Sequence, residues 1–152
     1  MMLPAILILL TAGAAAGQVN VTSYRYNLAR SGGNPAEKIL TPVNVNPAGF
    51  GKLFSRPVDG QVYAQPLYMS LLDIPGKGIH NVVFVATEHD SVYAFDADSA
   101  DGRNADPLWH VNFIDPSKGE RTLNEADVLN CPSITPELGI TGTPVKIGRA
   151  HV

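Results

Sequence analysis

Between Asn81 and Asp98 the chain reads Asn-Val-Val-Phe-Val-Ala-Thr-Glu-His-Asp-Ser-Val-Tyr-Ala-Phe-Asp-Ala-Asp. Two apolar runs, Val82 to Thr87 and Val92 to Asp96, flank a polar tip at Glu88-His89-Asp90-Ser91. Short β-branched and aromatic runs around a polar turn predict an antiparallel hairpin, with side chains alternating between two faces. A third strand is expected at Leu108-Trp109-His110-Val111, which carries the single tryptophan. Upstream, Gln61 to Met69 contains Gln65-Pro66-Leu67, and downstream, Gly139 to Val145 contains Thr143-Pro144-Val145. Both share a small-polar-Pro-apolar core. Three segments rich in turn formers are expected as surface loops: Ser70 to His80, Ser99 to Asp106 and Asp115 to Leu138. Within the last, only Glu120 to Asn130 suits a short helix.

The ordered set Val92-Tyr-Ala-Phe-Asp-Ala-Asp98 followed by Leu108-Trp109 resembles the repeat of pyrroloquinoline-quinone-type (quinoprotein-like) β-propellers. Tyr26-Asn-Leu-Ala-Arg30, Ile39 to Val45 and Lys52-Leu-Phe54 are similar to the segment preceding the first blade of that family. The resemblance covers residues 21–145 and implies an all-β fold, a β-propeller of four-stranded antiparallel blades. Residues 18–60 would be an N-terminal segment, with Gly51 to Val58 as the ring-closing strand. Residues 61–138 would be the first blade with long insertions, and residues 139–145 the first strand of the next. The spacing of Pro66 and Pro144 exceeds the about 40–50 residues of a usual blade, which the insertions explain. In the family, the Ala and Trp of each repeat dock neighbouring blades, and Trp109 stands at the tryptophan's docking position here.

The ends of the chain carry separate signals. Residues 1–17 read as a secretory signal peptide, with an apolar run from Leu3 to Leu10 and small residues before cleavage after Ala16 or Gly17. No Lys or Arg precedes that run. It is also shorter than the about 20 residues a membrane-spanning helix requires. A secreted or periplasmic protein is the expectation. Ile147-Gly-Arg-Ala-His-Val152 is the in-frame translation of a common sequencing adapter, so residues 146–152 are expected to be non-native. The remaining blades would then belong to a longer chain.

Charge excludes more than it identifies. The net charge of −3 becomes −5 once Lys146 and Arg149 are set aside, and no basic patch suggests nucleic acid as a partner. Cys131 is the only cysteine, which in an oxidising compartment points to a partner elsewhere or to a free thiol. Several quinoprotein dehydrogenases carry a vicinal cysteine pair in this region; here Asn130 and Pro132 flank the single cysteine.

Candidate sites follow from chemistry and from the resemblance. Gln65, Thr141 and Thr143 lie beside the innermost strands, where a propeller channel presents polar groups. Glu137 is the best-placed carboxylate for a ligand at the channel mouth. Gln65, Glu137 and Thr143 are therefore the cofactor-binding candidates, and no catalytic residue is assigned. Glu88-His89-Asp90 has ligand residue types, but consecutive strand residues face opposite ways. It is expected to be a charged, solvated tip without metal. Asp96 and Asp98 are assigned to the corner after the strand in preference to a calcium pair. Tyr24, Tyr26, Tyr63, Tyr68 and Tyr93 are expected to pack against blade faces, and Asn20-Val21-Thr22 matches a glycosylation sequon. The functional expectation is a binding or interaction scaffold. The alternative is an alcohol or sugar dehydrogenase using pyrroloquinoline quinone and calcium.

Overall fold

The computed structural model describes residues 19–99, 105–128 and 133–147. The expected leader, Cys131, Arg103 and residues 148–152 lie outside them. The fold is all-β. One four-stranded antiparallel sheet is formed by β1 (Leu67–Ile74), β2 (Gly78–Ala86), β3 (Ser91–Asp96) and β4 (Trp109–Asn112), in the order β1-β2-β3-β4. The hairpin and the tryptophan strand sit where the alternation placed them. The loop expected at Ser70 to His80 is instead mostly strand: β1 runs on to Ile74, and β2 begins at Gly78.

A bulge accounts for that difference. Met69 pairs with Val82 and Leu72 with His80, so β1 spends one residue more than β2 over the same length. Leu71 is the surplus residue; it has φ 52° and is 77% exposed. Its N–H donates to Asn81 Oδ1 at 3.0 Å, which gives the displaced backbone a partner. The slip moves the inward positions of β1 from 67 and 69 to 72 and 74. Leu72 and Ile74 therefore join the core formed with Val82, Ala94, Leu108, Phe84 and Trp109.

Pairing registers define two faces. Leu67, Phe84, Ala94 and Trp109 form one cross-strand row on the first face. Ala94 is fully buried between the rings of Phe84 and Trp109, whose centroids are 6.0 Å apart. On the second face Val85, Tyr93 and His110 form a row, and Tyr93 stacks on both His110 and Phe95.

The flanking segments are irregular. Among the described residues, Gly51 to Val58 forms no strand, and neither does Gly139 to Val145. Residues 61–66 also precede the ladder rather than belong to it. Val21 bridges Tyr68 at the β1 edge, and the Lys146 N–H donates to the Thr22 carbonyl at 2.9 Å. The helix expected at Glu120 to Asn130 is reduced to a short 3-10 turn, Glu125–Val128, preceded by another at Pro116–Lys118. Tyr93 is buried in the sheet, whereas Tyr24 and Tyr63 are exposed. No helix among the described residues is long and apolar enough to cross a membrane.

Val82 is completely buried on the first face. Truncating it to Ala removes about 1.6 kcal/mol of transfer energy and leaves a cavity, so the expected loss is about 2–3 kcal/mol. Leu71→Gly should change stability by less than about 0.5 kcal/mol, because the bulge is solvent-exposed and already left-handed. Urea melts of the full chain, compared between the two variants, check the contrast.

Candidate functional site at the hairpin tip

Two distant segments close over the β2–β3 turn. The Glu88 N–H donates to the Gln61 carbonyl at 2.8 Å, and the Thr87 carbonyl accepts from the Ile140 N–H at 3.2 Å. Residues 59–61 thus hold one side of the tip and residues 137–141 the other. Both approaches depend on glycine. A Cβ on Gly139 would lie 2.3 Å from the Glu88 carbonyl oxygen, and one on Gly60 would lie 2.8 Å from the His89 nitrogen. Gly60 also has φ +60°.

The tip is charged, but its glutamate is not solvated as the sequence led us to expect, whereas the His89 side chain stays 44% exposed. Glu88 has no solvent exposure. Its Oε2 accepts from the Gly139 N–H at 2.8 Å and from the Thr141 hydroxyl at 2.9 Å. Oε1 is buried without a hydrogen-bond partner. His89 Nδ1 lies 2.8 Å from Glu137 Oε2, which also accepts from the Thr122 hydroxyl at 3.0 Å. The Glu137 hydrogen bond raises the His89 pKa above its ordinary value, against a smaller opposing effect of burial. Burial, reinforced by the charge of Glu88, pushes the Asp90 carboxyl up.

Behind the tip lies a second polar cluster. Asp59 accepts from the Thr87 hydroxyl at 2.8 Å and from the Ser91 hydroxyl at 2.6 Å. Burial pushes the Asp59 pKa up, but the hydrogen bonds from Ser91, Thr87 and Tyr93 together outweigh it and hold the carboxyl below its ordinary value. Ser91 Oγ also accepts from Asn112 Nδ2 at 2.9 Å and lies 3.1 Å from His110 Nε2. A serine, a histidine and an aspartate therefore meet, but not as a hydrolase would arrange them. The carboxylate holds the serine rather than the histidine, and Ser91 is fully buried. With its own hydrogen given to Asp59, Ser91 Oγ is an acceptor toward His110, so His110 Nε2 donates and cannot serve as its base. The cluster is a rigid polar joint.

The candidates from the sequence divide between two places. Glu137 is part of the tip clamp. Gln65 and Thr143 meet each other: the Gln65 N–H donates to Thr143 Oγ1 at 2.9 Å, and Gln65 Oε1 accepts from the Arg25 N–H at 3.0 Å. Thr141 joins Glu88. Asp96 Oδ1 accepts from the Asp98 N–H at 2.9 Å, the corner bond assigned to it from sequence. No group of three or more His, Cys, Asp or Glu side chains among the described residues is arranged to hold a metal ion. Asp59, Ser91, His110 and Asn112 were not singled out from sequence; the Asp59-Gly60 pair, a turn signal just before the segment Gln61 to Met69, was the available clue. No family model, curated protein or solved structure matches the chain.

Gly139 supplies the most direct test of the clamp. Gly139→Ala must push residues 137–141 off the hairpin, breaking the Glu88 and His89 contacts together; leaving a buried charged group unpaired costs several kcal/mol. Gly142→Ala meets nothing within 4 Å and should behave as the parent. Thermal melts and hydrogen exchange at 137–141 in the full chain distinguish the two.

Proposed function

We propose that this chain carries one blade of an exported quinoprotein-like β-propeller that acts as a binding or interaction scaffold. The observation that carries the reading is the disposition of the neighbouring segments. The sheet is a four-stranded antiparallel meander with an apolar concavity on each face, of about 350 Å³ on the first and about 330 Å³ on the second. Pro144 and Val145, which follow the sheet in sequence, line the first beside Trp109. Phe54, Val58 and Val62, which precede it, line the second. Preceding and following chain on opposite faces is what a ring of blades requires, since each repeat buries its surfaces only against neighbours. Trp109 lies on the face toward the following segment, in keeping with the docking role implied for it.

The dehydrogenase alternative needs cationic groups over a planar tricarboxylate and a carboxylate for calcium. Glu137 is instead engaged by His89 and Thr122. Lys118 pairs with Asp115 and Arg121 with Asp127. The scaffold reading is therefore the better supported.

Two measurements test the proposal. Sedimentation velocity on the full chain should show concentration-dependent self-association, as two apolar faces only partly lined by the flanking segments seek cover; a monomer independent of concentration, with a cooperative melt, would count against the blade. Titration with pyrroloquinoline quinone and calcium, followed by quinone absorbance, should give no saturable change. Saturable binding weakened by Glu137→Gln would install the dehydrogenase reading in its place.

A further inference from the structure

We propose that His80 is a pH-operated latch, which holds the β1–β2 hairpin against the corner after β3 and thereby fixes one wall of the Trp109 groove. Its ring sits between two acceptors. Nε2 is 2.9 Å from the Lys77 carbonyl oxygen, and Nδ1 is 3.0 Å from Asp96 Oδ2. A carbonyl oxygen only accepts, so Nε2 carries a hydrogen. An ionised carboxylate also only accepts, so Nδ1 carries one as well. Only the imidazolium satisfies both neighbours at once. The pair is shielded: the side chains of His80 and Asp96 are 17% and 9% exposed.

The latch joins the β1–β2 turn to the end of β3, in addition to the ladder. Lys77 belongs to the β1–β2 turn and Asp96 to the end of β3. Asn81 reinforces the same corner, donating to Asp98 Oδ2 at 2.6 Å while accepting from the bulged Leu71 N–H. The groove on the first face is lined by Leu72, Ile74 and Pro75 from this hairpin, opposite Trp109 and Leu108. Loss of one His80 hydrogen frees the turn from β3 and loosens that wall.

Among the described residues, the charged groups acting on the ring are Asp96 from β3 and Lys77 from the turn. The hydrogen bond to the Lys77 carbonyl raises the His80 pKa most, burial opposes it, and Asp96 raises it again through its hydrogen bond and charge; the Lys77 ammonium opposes weakly. The net direction is upward from the ordinary histidine value of about 6.5. A histidine raised on folding contributes stability that is complete below its unfolded value and is lost as pH rises through its folded one. The latch is thus closed in mild acid and opens toward alkaline pH. It stands independently of the propeller reading.

The test uses the full chain, in which Trp109 is the only tryptophan. Histidine C2 hydrogen exchange read by mass spectrometry gives a titration midpoint for each imidazole. The His80 midpoint should be higher in buffer than in urea, and Asp96→Asn should lower it. Trp109 emission and backbone exchange over 72–79, corrected for intrinsic rates, should each show a step at the His80 midpoint. That step should vanish in His80→Gln. A His80 midpoint equal to or below that in urea would overturn the latch. So would a Trp109 step that persists in His80→Gln, or a raised midpoint with no response in groove or hairpin.

Discussion

A carboxylate withdrawn from the solvent surface organises one end of this molecule. Glu88 stands at the turn of the β2–β3 hairpin and is wholly buried, so its charge is acceptable only where donors are brought to it. Those donors come from Gly139 and Thr141, some fifty residues downstream. The Gly139 backbone reaches that distance because no Cβ intervenes. Once this segment is seated, Glu137 meets His89, and the residues that follow are directed along the first face toward Trp109. The position of the downstream chain is thus fixed at the hairpin tip, before any contact with the groove.

Legibility in the sequence followed the regularity of the strands. The hairpin from Val82 to Asp96 was readable because its two runs are β-branched and aromatic around a polar turn, and β4 because a tryptophan opens it. β1 was read short. Leu67 to Ile74 does not alternate, since the surplus residue at position 71 shifts the inward set from odd to even, and a period-two reading fails across the slip. The Glu120 helix was shortened for a different reason. Asn124 and Asp127 bind nearby backbone and fold the segment into a turn before a longer helix can propagate.

The site was partly visible by residue type and invisible by burial. Glu137, Thr141 and Thr143 were all singled out, and all three make long-range hydrogen bonds. Nothing local distinguishes a solvated Glu88 from a buried one, because the groups that cover it are remote in sequence. The same holds for Asp59 and Ser91, which are ordinary turn and strand residues until residues 59–61 dock on the hairpin. Their polar joint gives rigidity where an isolated reading of Ser, His and Asp would have suggested chemistry.

The bulge in β1 has a bearing on how this chain tolerates changes in length. Two residues of β1 occupy the span of one in β2, and the extra one, Leu71, points into solvent. A chain lacking it would run Met69-Ser70-Leu72 in an unbroken ladder, with Leu72, Asp73 and Ile74 on the sides they occupy now. Loss of a residue between Ile79 and Val82, where β2 has none to spare, would turn the inward side chains of that strand outward. Position 71 is therefore a slack link, at which evolution can shorten the strand by one codon while every other side chain keeps its face.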